Sequence, residues 1–419
     1  MTQYNPKDGS QFIPYEARSG NESIVYFTRD LSAKGLQKAY EQVNGNITGK
    51  VGLKLHTGEP HGPNIIPRSW VKELREAEPE LKDSSIVETN TYYDGDRYTT
   101  QQHRKTLEIN GWTFCPVDIM DEEGTANLPV IGGHHFDHMS VGSHMLNYDS
   151  LVTLTHFKGH VQGGFGGSNK NIGIGCADGR IGKKMIHTYE GQDQWSIRKE
   201  DFMERITEST KATIDHFGKH VTYVNVMRNM SVSCDCEGVA AEPVVTPNVG
   251  ILASTDILAI DQACVDIVYA MKEEEHHALV ERMESRHGLR QLYYMKELSM
   301  GNNRYILIDL DHGNALMSVK DAVANLIPFD QVFFFKQKTA YEIMSGDWSS
   351  DVCSSDLRDS FHRRISIHAP RVGSDGRCSV SDSCLLHKHF CANRRCADFW
   401  LPYHALPADV HFMFDRPSR

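Results

Sequence analysis

Between His156 and Cys176 the chain reads HFKGHVQGGFGGSNKNIGIGC, a run in which seven glycines are interleaved with Lys158, Lys170, His156 and His160. Glycines at that density let the backbone turn tightly and bring N–H groups against a ligand, as phosphate and carboxylate cradles require. Lys158, Lys170, Lys183 and Lys184 would add positive charge, while His160 and His187 would titrate near neutrality. The reading predicts His160 and Lys170 as catalytic groups, and Lys158, Gly164, Gly166, Gly167 and Lys170 as the cradle for a small anionic substrate or cofactor. Neither GxxxxGK[ST] nor a GxGxxG at a first βα turn is present, so the two standard nucleotide loops are not expected. The alternative is a glycine-rich structural crossover with solvated lysines.

Two further groups have suitable types and spacing. His56 and Glu59, in HTGEPH, could work as base and orienter or as metal ligands; otherwise they form a turn capped by its own side chains. Cys234-Asp235-Cys236 is too tight to close a good disulfide but offers paired soft ligands, and with Cys176 it would make a three-thiolate metal site. No CxxCxxC run accompanies them, which argues against a ferredoxin-type cluster held by this chain alone. His134-His135-x-x-His138 lacks the acid of HExxH and reads as a polar surface or edge segment.

The elements that must carry these groups alternate. SIVYFT (23–28), KVGLKL (50–55), SIVET (85–89), residues 113–119, DSLVTLT (149–155), TYVNVM (222–227), NVGILA (248–253) and residues 304–310 read as strands. Residues 32–44, 67–78, 99–110, 199–216 and 255–271 read as helices, with a further helical stretch to about 298. Such alternation predicts an α/β fold with a mainly parallel sheet flanked by helices. Ligands of such sheets sit beyond the carboxyl ends of the strands. That rule selects the loops at 56–64, 90–97, 156–171 and 228–237, which are the loops with the unusual chemistry.

Composition bounds the rest. The chain has 419 residues, 40% hydrophobic and 24% charged, with a formal net charge of −11. This suits a globular protein with a large core and argues against broad nucleic-acid or anionic-membrane binding. No apolar run approaches the ~18 residues that span a bilayer, and residues 1–22 read as a polar, extended lead-in without a secretory h-region, so a cytoplasmic protein is expected.

The last part of the sequence is of another kind. Residues 333–357 (FFFKQKTAYEIMSGDWSSDVCSSDL) resemble a translated Illumina-type indexing adapter, and 365–375 (ISIHAPRVGSD) resemble a translated CRISPR repeat. Residues 333–419 therefore read as a non-native read-through tail after a 23–332 domain whose core is expected to end near 311. Without the tail, 32 Lys+Arg stand against 45 Asp+Glu, and five of the ten cysteines remain: Cys115, Cys176, Cys234, Cys236 and Cys264. An odd number of cysteines suits a reducing compartment.

Taken together, VGLKLHTGEP (51–60), ETNTYYDGDR (88–97), LTHFKGHVQGGFGGSNKNIGIGCADGRIGKKMIH (154–187), SCDCEG (233–238) and NVGILASTDILAIDQACVDIV (248–268) resemble the family known as domain of unknown function 362. Its members are often called iron-sulfur-centre proteins, because many carry a ferredoxin module. The resemblance implies an iron-sulfur association, met here by a separate ferredoxin partner, since this chain lacks that module. Under this alternative the chain is a non-catalytic electron-transfer or metal-binding module using Cys176, Cys234 and Cys236. The run from His160 through Lys170 to His187 is also similar to the active-site stretch of nickel-pincer lactate racemases. That similarity implies an acid/base role for His160, a tethered nickel pincer nucleotide on Lys170 and a nickel ligand in His187.

Overall fold

In the computed structural model of the protein, residues 11–189 and 197–326 are described. The adapter-like and repeat-like stretches lie outside them. Thirteen strands occur among the described residues: β1 (Ser23–Thr28), β2 (Val51–Lys54), β3 (Ser85–Glu88), β4 (Val117–Ile119), β5 (Thr125–Pro129), β6 (His138–Gly142), β7 (Ser150–His156), β8 (Lys158–His160), β9 (Gly164–Gly166), β10 (Val221–Met227), β11 (Gly250–Ser254), β12 (Tyr305–Asp309) and β13 (Ala315–Met317). The helices are α1 (Ala33–Tyr40), α2 (Arg68–Ala77), α3 (Thr100–Asn110), α4 (Ser168–Gly175), α5 (Gly182–His187), α6 (Lys199–Phe217), α7 (Ile257–Ala270), α8 (Glu273–Ser285), α9 (Arg290–Glu297) and α10 (Val319–Ala322).

Nine strands form one sheet in the order β13-β12-β1-β11-β10-β7-β2-β3-β4. The pairs from β10 through β7 and β2 to β3 and β4 are all parallel, and so is β1 with β12. The two pairings of β11 and that of β13 are antiparallel. The expected α/β architecture is therefore present. Every residue of β2, β7, β10 and β11 is buried, as strands covered by helices on both faces must be.

Side-chain alternation divides the core in two. Val224, Val226, Ile251 and Ala253 join Leu36, Tyr40, Leu74 and Trp112 under α1 to α3, whereas Tyr223, Met227 and Leu252 join α4, α6 and α7 on the other face. Local chemistry fixes the helix ends. The Ser32 side chain accepts Gly35 N–H at the start of α1, and Thr99 and Gln102 close a capping box on α3, which stops at Gly111 in the left-handed region. Both are standard helix punctuation.

Four features differ from the sequence reading. The strand expected at 113–119 is reduced to β4. The helical stretch after 271 breaks into α8 and α9 at His287, whose φ is 59°. The β5–β6 hairpin was not foreseen; its loop wraps the buried Glu208 carboxylate, which accepts the N–H groups of His134, His135 and Phe136. The fold also continues beyond 311, since β13 pairs with β12, and Val319 and Ala322 of α10 are buried in the core. The lead-in is tied down in part, with Ile13 N–H donating to Tyr305 O at 2.9 Å. No helix among the described residues is long and apolar enough to cross a membrane.

Candidate functional site

Parallel β10, β7, β2 and β3 end side by side, and the loops that follow them surround a cavity of about 300 Å³. His56 follows β2, Glu88 ends β3, His156 ends β7, and the turn bearing Cys234 and Cys236 follows β10. Lys158 and His160 of β8, Lys170 of α4, and Lys183 and His187 of α5 complete the wall. The four loops selected from the sequence thus meet in one place.

Most of the charged groups are already paired. Lys54 Nζ lies 2.8 Å from Glu88 Oε2, both fully buried, and Glu88 Oε1 accepts from Thr57 N and Oγ1. Burial would raise the Glu88 carboxyl, but Lys54, His56 and Arg97 hold it below the usual carboxylate range. Lys158 is locked at 2.9 Å to Asp235, which also takes His156 Nδ1 at 2.9 Å. Burial works against that ammonium, but Asp235 outweighs it and raises its pKa. Lys183 donates to Thr89 Oγ1 at 2.8 Å and to the Asn90 carbonyl, and burial pulls it down to about 8.

Lys170 is the exception. Its side chain is 9% exposed, lines the cavity, and has no hydrogen-bond or ion-pair partner among the described residues. Burial depresses its pKa below the ordinary lysine range, against the pull of Cys234 and Cys236.

The histidines are set in defined tautomers by their neighbours. Gln162 and Gly163 N–H both donate to His160 Nδ1, at 3.1 and 2.9 Å, so the ring proton sits on Nε2. His187 is the reverse: Nδ1 lies 2.7 Å from the Lys183 carbonyl and must donate, leaving a lone pair on Nε2. Burial lowers both to about 4, so both are neutral imidazoles at pH 7. His56 Nδ1 accepts Gly58 N–H at 3.0 Å, which places its proton on Nε2, 3.9 Å from Cys234 Sγ. His156 has both nitrogens against acceptors, Asp235 and the Arg228 carbonyl at 2.7 Å, and holds the loops together.

Several sequence-predicted roles need correction. The first N–H groups of α4, those of Ser168 and Asn169, are not open to a ligand, because they donate to the buried Asp261 carboxylate at 2.8 and 2.9 Å. The glycines admit neighbours instead. A Cβ on Gly167 would lie 2.4 Å from Asp261 Oδ1, and one on Gly164 would lie 2.7 Å from Gly288 Cα. Gly166 and Gly167 line the cavity and Gly164 does not. The His56–Glu59 dyad is not formed, since Glu59 Oε1 is taken by Arg97 Nε at 2.9 Å and by the Tyr93 hydroxyl. Cys176 belongs to the apolar core, where burial pushes its thiol up to about 12, so the three-thiolate site is not formed.

His160 takes the third place instead, with one ligand atom each from His160, Cys234 and Cys236 inside 4.8 Å of one another. That spacing could hold a soft ion. Neutral His160, however, carries its proton on Nε2, whereas a metal-binding histidine ordinarily donates its other ring nitrogen to an acceptor. Lys54, Glu88 and Arg97 were not assigned roles from sequence. The available signal was a lysine inside the apolar run VGLKL and a glutamate closing SIVE.

Comparison with known proteins places this geometry in context. None of the curated proteins matches the chain in sequence. Among solved structures, the lactate racemase apoprotein from Thermoanaerobacterium thermosaccharolyticum is similar at 15% identity and a TM-score of 0.30, over 51% of this chain and 52% of that one. A protein from Thermotoga maritima is similar at 13% identity and a TM-score of 0.30, over 61% and 58%. The chain thus spans about half the length of the first and under two thirds of the second. The family model described as "Domain of unknown function (DUF362)" matches residues 51–266, half of the chain and all four loops of the cavity, and the chain belongs to that family.

Proposed function

We propose that the cavity is an active site for acid–base chemistry on a small organic anion. The observation that carries this reading is Lys170, a buried amine without a partner among the described residues, which lines the cavity together with two neutral histidines of opposite tautomer. Entry of a carboxylate would supply the missing partner, and the ammonium form would be stabilised by it. His187 Nε2 has the lone pair a base needs. His160 Nε2–H is the donor that an oxygen gaining negative charge needs, and staying neutral suits it to that role.

Lys170 and His187 also fit a tethered, metal-bearing cofactor, the second reading suggested by the sequence similarity. Lys170 would carry the covalent link and His187 Nε2 would ligate the metal. Such a group would supply an electron-accepting metal centre, while His160 would still offer its Nε2 proton to the cavity.

Calorimetric titration with acetate and pyruvate, combined with mass analysis of the Lys170 peptide, tests both readings. Binding that weakens at least tenfold in Lys170→Ala supports the anion site, and a stable mass adduct on that peptide supports the tether. An unmodified Lys170 with no change in binding contradicts both.

A further inference from the structure

The sulfur of Cys234 sits where donors converge. It is 2% exposed, lines the cavity, and caps the 3-10 turn Asp235–Ala240, with its own N–H fixed to Glu237 Oε1 at 3.0 Å. His56 presents Nε2–H to it at 3.9 Å. The side chains of His160 and Cys236 lie within 4.8 Å, and His160 Nε2 also carries a proton. Both imidazoles are held in that tautomer by backbone N–H groups, so both offer protons to the sulfur. Lys170 and Lys158 also line the cavity, and Lys158 is paired with Asp235.

We infer that Cys234 is a thiolate nucleophile, positioned to attack an electrophilic oxo or acyl carbon of a small carboxylate bound in the cavity. The substrate class rests on the anion-site reading above; the nucleophile does not. In the step, the Sγ–C bond forms and the carbonyl π pair moves to oxygen. That oxygen takes the proton of the Cys236 thiol, leaving one thiolate in the site as before. His56 and His160 stay neutral throughout and serve as N–H donors to the sulfur and oxygen. His56 directs its Nε2–H at the Cys234 sulfur, which favours the anionic form of Cys234 and leaves the proton on the neighbouring Cys236. This is the asymmetry that a nucleophile and its proton donor need.

Alkylation mapped by peptide mass spectrometry tests the assignment on the full chain, with iodoacetate as an anionic probe and iodoacetamide as its neutral counterpart. In each case the Sγ–C bond forms and iodide leaves. The expected result is that Cys234 is modified at least tenfold faster than Cys236 and Cys115 at pH 6.5, with a rate that falls little from pH 8 to pH 6. His160→Gln and His56→Gln should shift that profile upward. Modification of Cys234 only after unfolding, a rate that follows an ordinary thiol profile, or stoichiometric zinc or iron on the Cys234–Cys236 pair of the purified protein would overturn it. The two probes separate this from the anion reading. Faster reaction with iodoacetate, lost in Lys170→Gln, supports both proposals; equal rates with both probes sink the anion site and leave the nucleophile standing.

Discussion

The carboxylate of Asp261, on α7, accepts the backbone N–H of Ser168 at 2.8 Å and thereby holds the first turn of α4, two residues ahead of Lys170. Asn225 Nδ2 donates to the same carboxylate at 2.9 Å. All three neighbours are donors, so an amide in place of the carboxylate would turn an NH2 group toward at least one of them. Asp261→Asn should therefore cost about 1–3 kcal/mol in urea unfolding and weaken anion binding by displacing Lys170. Unchanged stability would show that the capping is dispensable.

Acid should unfold the protein early. His160 and His187 are lowered to about 4 and His103 to about 3, chiefly by burial, against ~6.5 in an unfolded chain. The unfolded state then binds more protons, so this stabilisation is complete above ~6.5 and is lost as pH falls toward 4. Burial raises Asp261 to about 6, which acts in the opposite sense below that pH and cancels about one proton. The net slope should be about 3 kcal/mol per pH unit between 6 and 4, read from urea midpoints. A flat profile there would contradict the buried neutral histidines.

Lys54 and Glu88 form an ion pair with almost no exposure. Glu88→Gln alone should destabilise by about 3–5 kcal/mol, because it leaves a buried ammonium without a counter-charge, whereas replacing both by apolar residues should cost far less. A double-mutant cycle measures this. Additive losses would mean that the two side chains act independently.

The boundary of the folded unit can be tested by shortening the chain. We expect a chain ending at Gln331 to melt as the full-length protein does, since 333–419 reads as a translated adapter and repeat. A chain ending at Asp311 should melt lower, because it removes β13 and α10, with Met317, Val319 and Ala322 from the core. A large loss on removing only 333–419 would contradict the read-through interpretation.

Much of this arrangement was legible in the sequence, because strand periodicity located the carboxyl ends where ligands collect. Lys170, His160, His187 and Cys234 were singled out by type and loop, and they do line one cavity. What the sequence could not show was which groups neutralise one another. That Asp261, 93 residues from Ser168, would occupy the start of α4 is a long-range contact with no local signature. Gly164 and Gly167 leave room for Gly288 and Asp261 close to the loop, while Gly166 and Gly167 also line the cavity. Cys176 and Cys234 look alike in sequence, yet the first lies in the apolar core and the second in the cavity, a difference of tertiary packing alone.

The most direct test of the central claim is the reactivity of the lysine amines. Brief reductive methylation at pH 7, followed by peptide mass analysis, compares Lys170 with Lys54 and Lys158, which are also buried but ion-paired. The account predicts that Lys170 is methylated much faster than either, and that acetate or pyruvate protects it. A Lys170 as inert as Lys54, or one that no carboxylate protects, would contradict the claim that its amine is free and faces an anion site.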